Sequence, residues 1–203
     1  YARRWERPLV ALSFDYGQRH RVELDAAREI ATAAGVDEHV VLSVPLADVA
    51  RTALTDAGID VPNPRGPALG EDGLPVTFVP GRNLVFLSLA AGLAYSRGIG
   101  RIVIGASAID FAGYPDCRPT FLMAMGEAIR SGVGGGVVIE APLVHLSKAA
   151  TVRLARRLGD GCWAALALSI TCYRGRPPCG ECSACVLRAK GFAEADEHDP
   201  AMP

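Results

Sequence analysis

The sequence predicts an α/β fold with a parallel sheet flanked by helices, and three observations carry that expectation. Short, nearly continuous apolar runs alternate with segments whose apolar residues recur at helical spacing, the pattern of parallel strands joined by crossover helices. Half of the 203 residues are hydrophobic and 21% are charged, enough to bury one sizeable core and unlike a disordered or fibrous chain. Four of the six cysteines crowd into residues 172–185, which suits metal in a reducing compartment better than a disulfide framework. The expected organisation is a single domain over residues 1–203, with 171–190 as an integral metal-binding sub-structure.

Taken in order, Leu9-Val10-Ala11-Leu12-Ser13-Phe14 reads as a strand buried on both faces and ended by Asp15-Tyr16-Gly17. Residues 21–34 carry Val22, Ala26, Ile30, Ala33 and Ala34 at helical spacing, and Gly35 closes them, completing a βα unit. Residues 39–44 repeat the strand signal, and 46–54 are expected to form a second helix. Residues 101–106 and 137–140 are further strands, preceded by helices over 82–97 and 120–131. Between residues 55 and 80, Pro62, Pro64, Pro67, Pro75 and Pro80 with Gly58, Gly66, Gly70 and Gly73 forbid regular structure, and a long irregular segment of this kind is more often functional than accidental. The acidic stretch 194–199 is expected as a solvated end.

Charge narrows the partners. Lys plus Arg number 21 against 22 Asp plus Glu, a net of −1, so no sequence-wide basic field offers a surface to nucleic acid or membrane. The longest apolar stretch, 84–95, is about half of the ~20 residues a membrane span needs. Tyr1 opens without a basic leader or cleavage site, so the sequence reads as the interior of a domain and a cytoplasmic location is expected.

The strongest chemical signal is Cys172-(six residues)-Cys179-(two)-Cys182-(two)-Cys185. Four thiolates at this spacing can wrap one tetrahedral ion, because each short turn places its two sulfurs on the same side of a knuckle. With all four positions filled by protein, structural Zn²⁺ is expected; an iron–sulfur cluster or unliganded buried thiols are the alternatives. Cys162, beside Trp163, reads as a core residue. Three further stretches sit where strand ends or helix starts converge. Asp15-Tyr16-Gly17-Gln18-Arg19-His20 offers donors suited to a phosphate or a base edge, or is an ordinary charged turn. Pro80-Gly81-Arg82-Asn83 could cradle an anion on its first amides, or merely start a helix. Asp110-Phe111-Ala112-Gly113-Tyr114-Pro115-Asp116-Cys117-Arg118 combines carboxylates, rings, a thiol and a guanidinium at a strand's carboxyl end, where open parallel sheets bind ligands; a surface turn is the plainer alternative. Ser147 can cap a helix that places Lys148 toward a polyphosphate, although a first-turn lysine is usually solvated. His145 suits core and surface equally, and Gly134-Gly135-Gly136 precedes a strand and so reads as a turn.

Together, Phe14 with residues 15–20, Phe78-Val79-Pro80-Gly81-Arg82-Asn83, residues 110–118 and the four cysteines, in this order, resemble the 7-cyano-7-deazaguanine synthase (QueC) family over essentially the whole chain. The resemblance implies a Rossmann-like fold of the adenine nucleotide alpha hydrolase type. It also implies a C–N bond-forming ligase that uses ATP and ammonia to turn 7-carboxy-7-deazaguanine into an amide and then into the nitrile preQ0, in queuosine or other deazapurine biosynthesis. Phe14, Asp15, Tyr16, Gln18, Arg19, His20, Pro80, Gly81, Arg82 and Asn83 would line the nucleotide site, with Lys148 and Mg²⁺ on the phosphates. Asp110, Phe111, Gly113, Tyr114, Asp116, Cys117 and Arg118 would hold the deazaguanine, Arg118 toward its carboxylate; Lys148 and Arg118 are the expected catalytic cations. A homodimer is expected from the family and the apolar surplus. The family's Ser-Gly-Gly-x-Asp-Ser phosphate loop has no match here and would fall before Tyr1. Two other readings are a related ATP-pyrophosphatase acting on a tRNA base and a degenerate zinc-stabilised nucleotide-binding module. The neutral charge disfavours the tRNA reading.

Overall fold

The computed structural model describes residues 2, 8–62 and 69–202, without the side chains of Phe111 and Ala112. Residues 63–68, with Pro64, Gly66 and Pro67 of the irregular segment, lie outside the described residues, as does the ring expected of Phe111. The chain divides into two compact units, Tyr1–Val79 with Lys148–Pro203, and Pro80–Ser147.

In the first unit, strands β1 (Val10–Asp15) and β2 (Glu38–Ser43) pair in parallel, Val10 opposite Glu38 through Asp15 opposite Ser43. Helix α1 (Val22–Ala33) joins them. Its first turn carries Glu23 and Asp25, the sign that suits a helix N-terminus, and Leu24, Ala26 and Ala31 form its buried face. Asp37 fixes the near end of the ladder, accepting the Leu9 N–H on its carboxylate (2.7 Å) while its own N–H donates to the Leu9 carbonyl (2.9 Å). Gly17, at the far end, has φ +81, and a Cβ there would lie 2.5 Å from that of Ala47, so only glycine fits.

The helix expected over 46–54 shrinks to one 3₁₀ turn, Leu46–Asp48. Threonine side chains take the backbone groups a helix would use: Thr55 Oγ1 donates to the Ala50 carbonyl and accepts from the Thr52 N–H (3.0 Å), while the Leu54 N–H donates to Thr52 Oγ1 (3.2 Å). Ala50, Ala53 and Leu54 are nonetheless buried, which explains their apolar spacing.

Helices α2 to α4 belong to the second unit. Helix α2 spans Arg82–Ser96, α3 Ala108–Gly113 and α4 Pro119–Gly132, with strands β3 (Arg101–Val103) and β4 (Val138–Glu140) pairing in parallel. Leu87, Ala91 and Ala94 of α2 pack with Leu122, Met125 and Ile129 of α4 and with Val137, and partly buried Ile102 and Ile139 of the two strands close on this core. Strand β3 ends three residues earlier than expected. The three glycines at 134–136 all have positive φ and form the turn before β4. The sequence pointed to one sheet; the described strands form two two-stranded sheets, one in each unit, and both are parallel as the strand–helix alternation requires.

The first unit is completed by α5 (Lys148–Arg157), α6 (Asp160–Ala167) and α7 (Ser183–Ala195). Ala149 and Val152 pack on Phe192 and Ala195, with Trp163 edge-on to Phe192 at 6.0 Å. Gly191 permits the approach of α7 to α5, since a Cβ there would meet Lys148 Cβ at 2.7 Å. Cys162, on α6, is half-buried and not a core residue. The acidic stretch 194–199 is only in part the solvated end expected: Glu194, Asp196 and His198 are exposed, but Glu197 and Asp199 are engaged. Asp199 is 9% exposed and takes a forked hydrogen bond from Arg188 (2.5 and 2.7 Å), and Glu197 receives Arg156, whose guanidinium lies 3.6 Å from the Trp163 ring centre. Arg188 is itself 9% exposed, and a buried guanidinium demands a counter-charge. Among the described residues no helix is long and apolar enough to cross a membrane.

Candidate metal centre and ligand-binding segments

The four cysteines converge on one point: the Sγ atoms of Cys172, Cys179, Cys182 and Cys185 all lie within 4.8 Å of one another. Local sequence builds the convergence. Gly180, at φ +73, turns the chain between Cys179 and Cys182; Cys182 is the N-cap of α7 and Cys185 stands in its first turn. Backbone N–H groups of Arg174 and Cys179 point at Cys172 Sγ, and that of Cys182 at Cys179 Sγ, each at 3.3 Å. Such donors stabilise thiolate. Cys172, Cys182 and Cys185 are almost fully buried, with Ala53 and Val61 in the same cluster.

Protonation follows from these surroundings. Burial acts to raise Cys179, but N–H groups of Glu181 and Cys182 and hydrogen bonds with Cys172 and Cys182 outweigh it and bring this thiol down to about 7. Burial pushes Cys182 and Cys185 up. Cys179 ionises readily, whereas Cys182 and Cys185 would do so only beside a cation. A tetrahedral ion with metal–sulfur bonds of ~2.3 Å places its sulfurs ~3.8 Å apart, close to the observed grouping. The donor set therefore fits a four-thiolate metal ion, with no position left for substrate.

The turn between β1 and α1 divides its five polar candidates between interior and surface. Gln18 is 1% exposed; its Oε1 accepts from the Tyr16 N–H (2.7 Å) and its Nε2 donates to the Phe14 carbonyl (3.1 Å) and to Glu23 (2.9 Å), tying strand end to helix start. His20 is buried too, with Nε2 2.9 Å from Glu23 and its ring edge-on to Tyr173, which follows Cys172 of the four-cysteine cluster; its Nδ1 has no hydrogen-bond partner among the described residues. Tyr16 is buried, and Asp15 accepts from Arg21 at 2.5 Å. Arg19 is exposed, with Nη1 held by the carbonyls of Ala53 (3.2 Å) and Ile59 (2.9 Å), and lines a cavity of about 440 Å³ with Asp60, Val61, Pro62 and Arg174.

In the second unit, residues 80–83 and 110–118 are joined. Gly81, at φ +77, is the N-cap of α2. Asp116 Oδ2 accepts the Asn83 N–H (3.1 Å), so a carboxylate of this chain already stands at that helix end. Asn83 Nδ2 donates to the Asp116 carbonyl (3.1 Å) and to Cys117 Sγ (3.3 Å). Burial, then Asp116 and Asp110, push the Cys117 thiol up to about 12, against the opposing pull of Arg82 and Asn83, which keeps it protonated. Asp110 accepts from Ser107 N–H (2.8 Å) and Oγ (2.6 Å), a capping box that starts α3. Tyr114 is half-buried and Arg118 exposed at the start of α4. Lys148 opens α5 in the other unit, half-buried, its stem beside Gly191. The sequence reading missed α3 altogether, although Ser107-x-x-Asp110 is the spacing of a capping box.

Fold and site together define the class: a parallel α/β protein with a four-cysteine knuckle able to hold a metal ion. The chain belongs to the QueC family, matching the family described as Queuosine biosynthesis protein QueC over residues 1–196. It is 52% identical over 193 residues to a 7-cyano-7-deazaguanine synthase of Chromobacterium violaceum, covering 95% of this chain and 80% of that protein. It is 52% identical over 198 residues to that of Laribacter hongkongensis (96% and 83%) and 48% identical over 198 residues to that of Stutzerimonas stutzeri (93% and 84%).

Proposed function

We propose that the protein is an ATP-dependent ligase that converts 7-carboxy-7-deazaguanine and ammonia into 7-cyano-7-deazaguanine, the preQ0 of queuosine or other deazapurine biosynthesis. The observation that carries this reading is the family match over residues 1–196, joined to 52% identity with relatives named for this synthase. The chemistry explains the need for ATP. A carboxylate is a poor electrophile, so its oxygen attacks the α-phosphorus, pyrophosphate leaves, and ammonia then displaces AMP from the activated carbonyl to give the amide. A second ATP activates the amide oxygen; departure of AMP with loss of the nitrogen's protons leaves the nitrile.

In this reading residues 14–20 and 80–83 contact the nucleotide. Gln18 and Asn83 act from inside, holding the backbone that Arg19 and Arg82 project from. Tyr114 and Arg118 face the deazaguanine. Lys148 and Arg118 stabilise the negative charge that develops during transfer, with Mg²⁺ on the polyphosphate. One Zn²⁺ per chain occupies the knuckle, where four sulfur donors suit a structural role. The protein acts as a cytoplasmic homodimer on small molecules, and the net charge of −1 supports substrates of that size over tRNA. The decisive assay incubates the full-length protein with ATP, ammonium and 7-carboxy-7-deazaguanine and follows the products by mass spectrometry. The amide and then the nitrile are expected; recovery of unchanged acid would overturn the reading.

A further inference from the structure

Asn83 is the second residue of α2, yet each of its three hydrogen bonds described above reaches across 33 or 34 residues to the 3₁₀ turn Pro115–Cys117. Asn83, Asp116 and Cys117 are 7, 6 and 5% exposed, so water does not compete for these bonds. The clamp lies directly between residues that the proposed function assigns to different substrates: Arg82 precedes Asn83, and Arg118 follows Cys117. It also occupies the Asn83 N–H at the α2 N-terminus, so that amide is not offered to a phosphate.

We propose that Asn83 and Asp116 are positioning residues that couple the nucleotide-contacting segment 80–82 to the acid-contacting segment 114–118, making the binding of the two substrates cooperative. The inference rests on the function proposed above. Two segments joined by a buried clamp are ordered together: the first ligand bears most of the ordering cost, and the second binds a site already held in place. Cys117 serves the clamp as a neutral acceptor, which its burial between carboxylates preserves.

The test uses the full-length protein and titrates a non-hydrolysable ATP analogue with and without saturating 7-carboxy-7-deazaguanine. In the wild type the acid is expected to tighten the nucleotide about tenfold, within the usual range of coupling between sites. Asn83→Ala and Asp116→Ala are expected to bring that ratio close to one. Asp116→Asn, which keeps an oxygen for the Asn83 N–H, should retain most of the coupling, a rescue that a general loss of stability would not produce. Hydrogen exchange at residues 80–83 should slow when the acid binds to the wild type and not when it binds to Asn83→Ala. Should the alanine variants fold poorly, Cys117→Ala removes one bond of three and should show an intermediate ratio. A wild-type ratio of one, or wild-type ratios in these alanine variants, would overturn this inference alone. A wild type that binds neither ligand would overturn the proposed function and this inference with it.

Discussion

The knuckle and the 115–117 turn both bury cysteine, and they differ in what faces the sulfurs. At the knuckle, N–H groups face the sulfurs at 3.3 Å and one thiol falls to about 7. At the turn, Cys117 is buried beside Asp116 and Asp110 and rises to about 12. Burial raises thiols in both places, so burial alone does not distinguish them. What differs is the company: convergent amides and sister thiols create a metal ligand, whereas carboxylates create a neutral hydrogen-bond acceptor.

The largest effect expected of any substitution is at the knuckle. Cys182→Ala should release the metal and lower Tm by ~10 °C or more, because structural metal binding is folding energy and each kcal/mol moves a domain of this size by about 2–4 °C; calorimetry with metal analysis checks this. Cys117→Ser should cost far less, a Tm change of a few degrees at most, since a hydroxyl can accept from Asn83 in the thiol's place. A Cys117→Ser variant that loses metal as Cys182→Ala does would erase the contrast.

Two smaller effects depend on pH. The folded Cys117 ionises near 12, while an unfolded thiol does so at about 8.5. Between those values the unfolded chain has lost a proton that the folded chain retains, so stability is fully present below about 8.5 and falls as pH rises toward 12. Denaturation midpoints measured from pH 8 to 11 should decline, and less steeply in Cys117→Ser. Asp199 shows the opposite sign. Burial acts to raise it, but the Arg188 hydrogen bonds prevail and hold it below the ordinary carboxylate value, so its contribution is present above about pH 4 and is lost as pH falls through the folded value. Asp199→Asn should flatten that acid limb.

The knuckle was legible because its spacing is local and its chemistry stereotyped; α1 and α4 were legible because their apolar residues recur every three to four positions. Residues 46–54 carried a similar pattern and misled, since Thr52 and Thr55 redirect the backbone while the same apolar residues are buried by a turn. Helix α3 hid inside a stretch that looked like a ligand loop, where Ser107 and Asp110 cap one another. Specific side-chain pairings left no trace in the sequence: Asn83 with Asp116 and Cys117 across more than 30 residues, and, nearer along the chain, Gln18 with Glu23 and the strand end and Arg188 with Asp199. These joined residues that each looked ready for a ligand, or for solvent, and turned them inward.

The contrast between the two kinds of cysteine is tested most directly by mapping alkylation at pH 8 on the metal-loaded protein before and after chelation, with metal counted in parallel. One zinc per chain is expected, with Cys172, Cys179, Cys182 and Cys185 protected until the metal is removed and Cys117 slow to react throughout. Knuckle cysteines that react freely in the metal-loaded protein, or a Cys117 that reacts first, would contradict it.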